Sequence, residues 1–485
     1  MNYGQFLNMI PEFYLVLILI VVFVVDFITH KSEKKHDILS AVTLALTAVL
    51  SVRIALLSEP TEAFGGIYVT SQITNVMKVI LTVGTVIVLI MSQEWLKTAR
   101  RYEGEYYMLI LSTLLGMYVM LSSGSFLLFF LGLEMASVPM ACLVAFDKKK
   151  RESAEAAAKY ILMATFSSGV MLFGISFIYA AAGSLYFENV DAALRGEVLG
   201  ATPLSIMGLV FFFSGLGFKI SLVPFHFWTA DTYQGAPTPV TGYLSVVSKG
   251  AATLTLAIIL VKVFGSMVAY WQPLLWVVIM LTITIGNLMA IRQTELKRFM
   301  AFSSISQAGY IMLAVIGADP ATSQTALTFY VLVYVVANMS VFSVISAVEH
   351  RARAGTQMSA YNGLYQTNPK LAFIMTIALF SLAGIPPFAG MFSKFFVFMA
   401  GVNGQDAMPF WPYFVVFVAL VNTVVSLYYY LLIVKAMYIK QEANPLPAFA
   451  HGKAINASLT ICTIGIVLFG ICSCIYQWIA NAAGM

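Results

Sequence analysis

Long apolar segments separated by short polar loops extend over the whole chain. About fourteen of them have roughly the 20 residues that a helix needs to cross the hydrocarbon core of a bilayer. They lie near residues 11–29, 38–57, 74–93, 106–122, 125–146, 156–182, 204–228, 238–264, 272–291, 296–317, 323–348, 371–400, 411–436 and 455–480. The pattern predicts an all-α polytopic membrane protein with about fourteen transmembrane helices.

Two of the predicted spans contain prolines that should break them. In the first, GLGFKISLVPFHFWTADTYQGAPTP (215–239), Pro224 follows Lys219. In the second, SLAGIPPFAGMFSKFF, the pair Pro386–Pro387 precedes Lys394. A proline within a helix removes one backbone bond and displaces the carbonyl four residues back, which for Pro224 belongs to Ile220. Broken membrane helices of this kind are typical of ion pathways.

The two breaks indicate a weak internal repeat. They fall in the seventh and twelfth spans, so the second broken helix would cross the membrane in the opposite direction to the first. This arrangement predicts two inverted five-helix repeats, each with one broken helix, at 106–264 and 265–436. Three helices at 1–105 would precede them, and a last helix at 437–485 would follow.

Basic residues are concentrated in the loops on one side of the predicted bundle. These loops are 30–37, 94–105 (with Arg100 and Arg101), 147–155, 292–298, 349–370 and 435–453, whereas the opposite loops hold only Arg195. By the positive-inside rule, the basic side faces the cytoplasm and both termini lie outside. The pattern favours a bacterial inner membrane, and orientation alone accounts for the basic loops without a nucleic-acid site.

Composition agrees with a membrane location and excludes several kinds of site. Hydrophobic residues make up 60% of the chain and charged residues 10%, against about 25% charged residues in soluble domains. The four cysteines form no C-x-x-C pair, which argues against a metal cluster. The sequence has no glycine-rich phosphate loop and no G-x-G-x-x-G, so we expect no metal and no bound nucleotide or flavin in this chain.

Four ionisable residues lie in the middle of apolar spans: Glu134, Lys219, Lys249 and Lys394. Each charge at the bilayer centre costs about 2.5–3.5 kcal/mol even on the mildest scale, so these side chains should face the bundle interior, water or each other. A purely structural ion pair is the simpler reading, but one carboxylate does not neutralise three lysines. The sequence therefore favours a proton pathway.

Glu134 and Lys219 together suggest a proton switch. Burial disfavours a charged lysine, and a carboxylate at roughly 6 Å restores about 2.8 kcal/mol at an effective dielectric near 20. These effects are similar in size, so our hypothesis is that the position and charge of Glu134 decide whether Lys219 keeps its proton.

Polar residues between the lysines are candidates for a relay. For any single serine, a hydrogen bond to the backbone or to a neighbouring helix is the more common role. His226, just after the first break, is equally compatible with a proton carrier and with a polar cap of a helix. Asp26 and Lys78 lie near span ends and are interpreted as interfacial or facing a partner. The relay candidates are Ser221, His226, Tyr243, Ser248, Ser303, Ser304, Ser306 and Gln307.

The chain resembles the antiporter-like membrane subunits of NADH–quinone oxidoreductase (complex I), and most of all the N-type. The resemblance covers essentially the whole chain and rests on residues 215–240, FLGLEMASVP, AFSSISQAGY, SLAGIPPFAGMFSKF and SLYYYL. It implies a fourteen-helix proton-translocating subunit in which Glu134 and Lys219 form the coupling ion pair. Lys249 would be the central relay lysine and Lys394 the terminal lysine toward the outside.

Three further features refine the resemblance. M-type subunits usually carry a glutamate where Lys394 stands, and L-type subunits have a long C-terminal extension beyond the last span. Relatives often have histidine where this chain has Gln307. Glutamine can order water, but it does not take up a proton at pH 7.

The resemblance implies a subunit of a redox-driven proton pump. The chain itself would hold no redox centre, and FMN, iron–sulfur clusters and quinone would belong to the whole complex. Its partners would be other membrane and peripheral subunits of complex I, the lipid bilayer and protons. Two alternatives are a subunit of an Mrp-type cation/proton antiporter or membrane-bound hydrogenase, which share these features, and a passive membrane scaffold, against which the mid-span lysines argue.

Overall fold

The computed structural model is a bundle of helices with almost no sheet, which confirms the all-α class. The structure describes residues 3–97, 102–196, 202–351, 355–403, 410–440, 446–450 and 452–484. Arg100 and Arg101 of the predicted basic loops lie outside the described residues. Parts of the predicted loops at 183–203, 349–370, 401–410 and 435–453 lie outside them as well.

Three long helices begin the chain after a short 3₁₀ helix at Tyr3–Asn8. They are α1 (Ile10–Thr29), α2 (Lys35–Leu57) and α3 (Gln72–Leu96). The loop before α3 forms a small antiparallel hairpin of β1 (Glu62–Ala63) and β2 (Tyr68–Val69), which the hydropathy pattern does not predict. α1 and α2 expose most of their surface, whereas α3 is largely buried against the rest of the bundle.

The next group of helices corresponds to the predicted first repeat. It consists of α4 (Glu103–Leu121), α5 (Phe126–Val144), α6 (Arg151–Ala182), α7 (Phe187–Arg195), α8 (Pro203–Ile220), α9 (Phe227–Gly235), α10 (Thr238–Tyr243) and α11 (Lys249–Lys262), with a π-helical turn at Leu244–Ser248 joining the last two. The short helix α7 lies in a predicted loop. α4 and α5 are in very close contact, because a Cβ added to Gly116 would lie 2.4 Å from the backbone nitrogen of Ala136.

The remaining helices correspond to the predicted second repeat and the C-terminal span. After a 3₁₀ turn at Gly265–Met267, they are α12 (Val268–Ile291), α13 (Leu296–Val315), α14 (Pro320–Arg351), α15 (Leu364–Thr367), α16 (Pro369–Ala383), α17 (Ala389–Val402), α18 (Phe410–Tyr438), α19 (Lys453–Ile471) and α20 (Ser473–Ala483). A further 3₁₀ helix, Met358–Tyr361, precedes α15. The prediction of one continuous last helix at 455–480 was wrong, because Cys472 is extended and separates α19 from α20.

Twelve helical segments of the described chain are long and apolar enough to cross a membrane. They match all but two of the predicted spans. The exceptions are the tenth span, α13, which is rich in polar residues, and the twelfth span, whose two halves α16 and α17 are each too short. The total of fourteen crossings and the inverted repeat stay predictions.

Both predicted breaks are present, and they share one backbone geometry. α8 is followed by Ser221, which has a left-handed φ of 69°, and Leu222 N donates to Gly217 O at 2.8 Å. α16 is followed by Gly384, with φ 88°, and Ile385 N donates to Phe380 O at 3.0 Å. In both cases a backbone N–H binds the carbonyl five residues before it, and the residue between the helix and that N–H is left-handed. This combination is the Schellman motif, a common way for a helix to end.

The prolines follow these endings rather than interrupting a continuous helix. Pro224 lies beyond Ser221, and Pro386–Pro387 lie beyond Gly384. The carbonyl at the end of α8 that receives a side-chain bond is that of Phe218, to which Trp228 Nε1 donates at 3.0 Å. The expectation that Ile220 would be the affected carbonyl assumed an uninterrupted helix, which the left-handed Ser221 prevents.

Candidate functional site

Lys219 is buried in the last turn of α8, at the first break. Its ammonium donates to Ser137 Oγ at 2.9 Å and to the Tyr160 hydroxyl at 3.4 Å. The carboxyl end of a helix attracts cations, so this position suits a lysine. Lys219 is therefore held by hydroxyls from α5 and α6 at a negative helix end.

Glu134 lies on α5, one turn before Ser137, and accepts a hydrogen bond from Ser168 Oγ of α6. Lys219 approaches the same face of α5, because it binds Ser137, one turn after Glu134. Among the described residues, no ion pair within 4.0 Å joins the two side chains. The structure thus places the two charges near each other, with the hydroxyls of Ser137 and Ser168 as their direct partners.

Lys249 begins α11, directly after the π-helical turn. Its side chain is 2% exposed, its ammonium donates to Ser304 Oγ at 2.7 Å, and it lies 5.5 Å from the centre of the Tyr233 ring. Ser304 is also 3.3 Å from the Tyr233 hydroxyl. Single π-helical turns are frequent at functional sites, and this one directs Lys249 toward α13.

Aromatic rings connect the first two lysines. Tyr160, which contacts Lys219, packs against Trp228 with ring centres 5.2 Å apart, and Trp228 packs against Tyr233 at 6.4 Å. Tyr233 then contacts both Ser304 and Lys249. The side chains of α9, beyond the first break, therefore lie between Lys219 and Lys249.

Lys394 lies on α17, beyond the second break, and reaches back to the preceding half-helix. Its ammonium donates to the Ala383 carbonyl at 3.0 Å, at the carboxyl end of α16. The ring centre of Tyr310 is 4.8 Å from the same ammonium. A negative helix end and an aromatic face both favour a cation, and no carboxylate within 4.0 Å pairs with Lys394 among the described residues.

One turn of α13 connects Lys249 with Lys394. Ser304 binds Lys249, and Gln307, three residues later, lines a small cavity with Lys394. The cavity has a volume of about 10 Å³, on the order of the space that one water needs. Tyr334 lies beside Ser304 and lines the same cavity. Residues three apart on a helix share a face, so α13 presents polar groups to both lysines.

Gln307 is bound on every side. Its Nε2 donates to Leu382 O and to the Tyr430 hydroxyl, both at 3.2 Å, and the Tyr330 hydroxyl donates to its Oε1. Ser303 also belongs to this hydrogen-bonded group, because its Oγ lies 2.6 Å from the Tyr430 hydroxyl. This glutamine therefore orders the region between α13 and the carboxyl end of α16, where Lys394 also binds.

The other relay candidates divide into two groups. The hydroxyls of Ser221 and Ser248 and the Nδ1 atom of His226 are buried without a hydrogen-bond partner among the described residues. Tyr243 faces away from the lysines, because its hydroxyl accepts from Thr113 Oγ1 at 2.9 Å and donates to Ile110 O at 3.3 Å on α4. The backbone of Ser306 packs closely against α12, since its nitrogen would lie 2.8 Å from a Cβ on Gly286, and its hydroxyl is also buried without a partner among the described residues.

The interpretation of Lys78 as interfacial or facing a partner was wrong. Lys78 is completely buried and donates to Glu12 Oε1 at 2.6 Å. The prediction failed because the partner carboxylate comes from a different helix, α1, far away in the sequence. Asp26 is partly exposed and pairs with Lys35 at 2.7 Å.

Sequence reasoning missed several contributors to the site. Ser137 could have been found, because it lies one helical turn from Glu134 on the same face. Tyr160, Tyr233 and Tyr310 carry no local signal, since each reaches its lysine from another helix. Within the described ranges, no group of three or more His, Cys, Asp or Glu side chains could hold a metal ion.

Known proteins resemble this chain in sequence and in fold. A family model described as NADH:quinone oxidoreductase/Mrp antiporter, TM matches residues 123–426. A protein of Phocaeicola vulgatus named NADH-quinone oxidoreductase subunit N is 53% identical over 485 residues, with 100% of both chains covered. A chain of respiratory complex I from Thermus thermophilus matches with a TM-score of 0.76 and 28% identity, over 95% of this chain and 97% of that one. A chain of the Mrp complex from Dietzia has a TM-score of 0.81 at 20% identity, over 98% and 97%, and this likeness concerns the fold alone.

Proposed function

Since this chain belongs to the NADH:quinone oxidoreductase/Mrp antiporter membrane family, we propose that it moves protons through Glu134, Lys219, Lys249 and Lys394. Its function is that of an antiporter-like membrane subunit of NADH–quinone oxidoreductase. The observation that carries the residue assignment is the turn of α13 in which Ser304 binds Lys249 and Gln307 lines the cavity of Lys394.

The first step of the proposed mechanism is a change in the pairing of Glu134. Ser168 binds the carboxylate, while Ser137 and Tyr160 bind Lys219, so separate hydroxyls hold each charge. A charge in a neighbouring subunit that draws Glu134 further away would weaken the attraction that keeps Lys219 protonated. Lys219 would then release its proton toward Lys249.

The second step passes the proton along α9 and α13. Tyr233 and Ser304 contact Lys249. The buried Ser248 hydroxyl has no partner among the described residues, so internal water would bind there. From Lys249 the proton would reach Lys394 through the Ser304–Tyr334 side of the cavity. Each lysine accepts one proton from the inner side of the route and passes one on, so the chain returns to its starting charge.

Gln307 would not carry a proton itself but would hold the side chains around Lys394 in place. An amide has no proton to give up at pH 7, but its two donors and its acceptor are all bound here. We propose that it fixes Tyr430, Tyr330 and the end of α16 around Lys394. His226, at the start of α9, would bind water near the basic side of the membrane.

The remaining assignments concern the whole complex. Electrons would pass through FMN, iron–sulfur clusters and quinone in other subunits, which would be this chain's partners, and the redox energy would reach it as a change of conformation or charge. We place it in a bacterial inner membrane with both termini outside, on the basis of the one-sided basic loops.

The experiment is NADH-driven proton pumping in sealed membrane vesicles that contain the whole complex with Lys219→Ala. Pumping and quinone reductase activity should both fall by at least about tenfold, the effect of about 1.4 kcal/mol on a barrier. NADH–ferricyanide activity, which does not depend on electron transfer to quinone, should stay at the wild-type level on the vesicles, because the NADH-oxidising subunits are retained there only when they are assembled with the membrane subunits.

Lys262→Ala is the matched control, because this lysine is exposed at the end of α11. It should pump like the wild type. Normal pumping by Lys219→Ala would make that lysine structural, and normal pumping by Lys249→Met would exclude the relay. Cation exchange that continues without NADH would instead favour an antiporter of the Mrp kind.

A further inference from the structure

α14 binds the segment that leads to Lys249 at two points. Near the end of α14, the Glu349 carboxylate accepts a hydrogen bond at 2.5 Å from Thr238 Oγ1, at the start of α10. Deeper in the bundle, Asn338 Nδ2 donates to Ser245 Oγ at 2.6 Å, within the π-helical turn. Glu349 and Asn338 are eleven residues apart, about three turns of an α-helix, so they lie on the same face of α14.

The position of the π-helical turn decides where the Lys249 side chain points. A π-helical turn contains one residue more than an α-helical turn, and each residue of an α-helix corresponds to a rotation of about 100°. Lys249 directly follows the turn. If the turn became α-helical or moved along the chain, Lys249 would rotate away from Ser304, to which it donates at 2.7 Å. Side chains that hold the start of α10 and the turn itself therefore fix the direction of Lys249.

Stability alone does not explain Asn338. It is 1% exposed, and its Oδ1 atom is buried without a partner among the described residues. Such an atom costs free energy, which an apolar side chain of similar size would not. The Ser245 hydroxyl would keep a partner without Asn338, because it donates to Gly242 O at 2.7 Å. The bond from Asn338 to the π-helical turn is therefore better explained by the position of that turn.

The start of α10 is also held from α13. Lys297, the second residue of α13, is buried and donates to Ala236 O at 2.7 Å, two residues before Thr238. Glu349 pairs in addition with the half-exposed Lys150 at 3.3 Å. The connection between α9 and α10 is thus fixed by charged side chains of α13 and α14.

α14 contributes to the site of Lys394 as well. Tyr334, one turn before Asn338, lines the small cavity beside Lys394. The same helix therefore binds the turn before Lys249 and forms part of the cavity of Lys394, so it fixes the two lysine sites relative to each other.

We propose that Glu349 and Asn338 are positioning residues, which hold α10 and the π-helical turn so that the Lys249 ammonium stays on Ser304. The juxtaposition that carries the proposal is one face of α14 bonded both to the start of α10 and to the turn that precedes Lys249. Neither residue carries a proton in this role. The inference rests on the proposed function, because it takes Lys249 as a relay.

The first test is Thr238→Val in the assembled complex in sealed vesicles. Valine has a similar size but does not donate to Glu349, and the charges of Glu349, Lys150 and Lys297 stay in place. We expect normal NADH–ferricyanide activity and at least about a threefold loss of NADH-driven pumping. Pumping equal to the wild type would overturn the role of Glu349.

Two further variants accompany this test. Thr238→Ser keeps the hydroxyl and should pump like the wild type, and a loss as large as that of Thr238→Val would overturn the role of the hydrogen bond. Thr255→Val is the matched control in the helix of Lys249, because the buried Thr255 hydroxyl donates to Ala251 O of its own helix at 2.8 Å. It should pump normally.

The second test is Asn338→Leu, which leaves the Ser245 hydroxyl bonded to Gly242 O. Pumping should again fall at least about threefold, while NADH–ferricyanide activity stays normal. Thr328→Val is the control on α14, because it removes a buried hydroxyl that has no partner in the described part of the chain. Equal pumping by Asn338→Leu and Thr328→Val would overturn the role of Asn338.

The pH profile of pumping separates positioning from a purely structural role. Loss of a hydrogen bond to a charged group changes its proton affinity by about one pH unit, so both variants should pump with a profile displaced by about that much from the profile of Thr255→Val. Tyr233 and Tyr334, which lie beside Lys249 and Ser304, are unchanged in both. A rate lowered equally at every pH would overturn the positioning role.

Lys249→Met is measured in parallel, so that the two proposals can fail separately. Loss of pumping by Lys249→Met together with normal pumping by Thr238→Val and Asn338→Leu would overturn only the positioning role. Normal pumping by Lys249→Met would overturn the proposed function, whatever the other variants do.

Discussion

The two broken helices end in the same way but surround their lysines differently. At the first break, Lys219 lies in the last turn of α8, with Glu134 nearby and hydroxyls as direct partners. At the second, Lys394 comes from the following half-helix and binds the end of α16 and the face of Tyr310. Both ammonium groups thus lie at a negative helix end, but among the described residues only the first has an acidic side chain nearby.

This difference suggests different roles for the two breaks. A carboxylate is a partner whose charge or position can change, whereas a carbonyl and an aromatic ring are fixed. The first break is suited to switching a proton on and off its lysine. The second is suited to holding a proton at constant affinity before it leaves.

The largest expected effect comes from removing the acid at the first break. In Glu134→Gln, the charged lysine loses about 2.8 kcal/mol of stabilisation if the carboxylate lies at roughly 6 Å in an effective dielectric near 20. NADH-driven pumping should fall at least about tenfold. Glu155→Gln, an exposed carboxylate on α6, is the control, and wild-type pumping by Glu134→Gln would remove the distinction between the breaks.

A smaller effect is expected from Gly384→Ala at the second break. Its φ of 88° is unfavourable for alanine, and the new Cβ would lie 3.0 Å from Lys394 Cδ. The left-handed backbone alone costs roughly 1–2 kcal/mol, so the complex should lose activity at a lower temperature. In Gly183→Ala, φ is 70° and nothing lies within 4 Å of the new Cβ, so this control measures the backbone cost alone. Equal losses in the two variants would show that contact with Lys394 adds nothing.

Replacing the ring beside Lys394 should have a still smaller effect. A cation above an aromatic ring gains about 0.5–2 kcal/mol, so Tyr310→Leu should slow pumping a few-fold. Tyr310→Phe keeps the ring and loses only the hydroxyl, which donates to Ala419 O at 3.4 Å. It should pump nearly as well as the wild type. A larger loss in Tyr310→Phe than in Tyr310→Leu would mean that the hydroxyl, not the ring, matters.

The smallest change is expected from Ser221→Gly, which gives the first break the residue type of the second. Glycine adopts the left-handed φ of 69° without steric cost, so stability should rise by roughly 0.5–1 kcal/mol. Pumping should be retained, since we regard a single serine hydroxyl as structural. Thermal inactivation measures the change in stability, and NADH-driven pumping is measured on the same vesicles. A clear loss of pumping would make the Ser221 hydroxyl part of the route.

The sequence predicted the parts of the site that have a local signal. Prolines and lysines inside apolar segments stand out without any knowledge of the fold, so both breaks and Lys219, Lys249 and Lys394 were found. The shared geometry of the breaks was not, because a left-handed Ser221 is unusual and Pro224 appeared to be the cause of the ending. The internal repeat is supported by this shared ending but stays a prediction.

Contacts between distant segments were not predictable in the same way. Glu12 and Lys78 are 66 residues apart, and each alone looks like a charge at the end of a span. Ser304 and Gln307 were candidates among several polar residues of α13, but only the packing of that helix shows which ones face the lysines. Tyr243 was expected near the lysines, yet its hydroxyl faces α4, because the π-helical turn separates its direction from that of Lys249.

The close contact between α4 and α5 limits how the first break can work. A Cβ on Gly132, two residues before Glu134, would lie 2.4 Å from the backbone nitrogen of Met120. The two backbones therefore touch just where the acid is attached, and α5 has no room to slide or rotate against α4 there. In the proposed mechanism, Glu134 would therefore move away from Lys219 by a rotation of its own side chain, while the backbone of α5 stays in place.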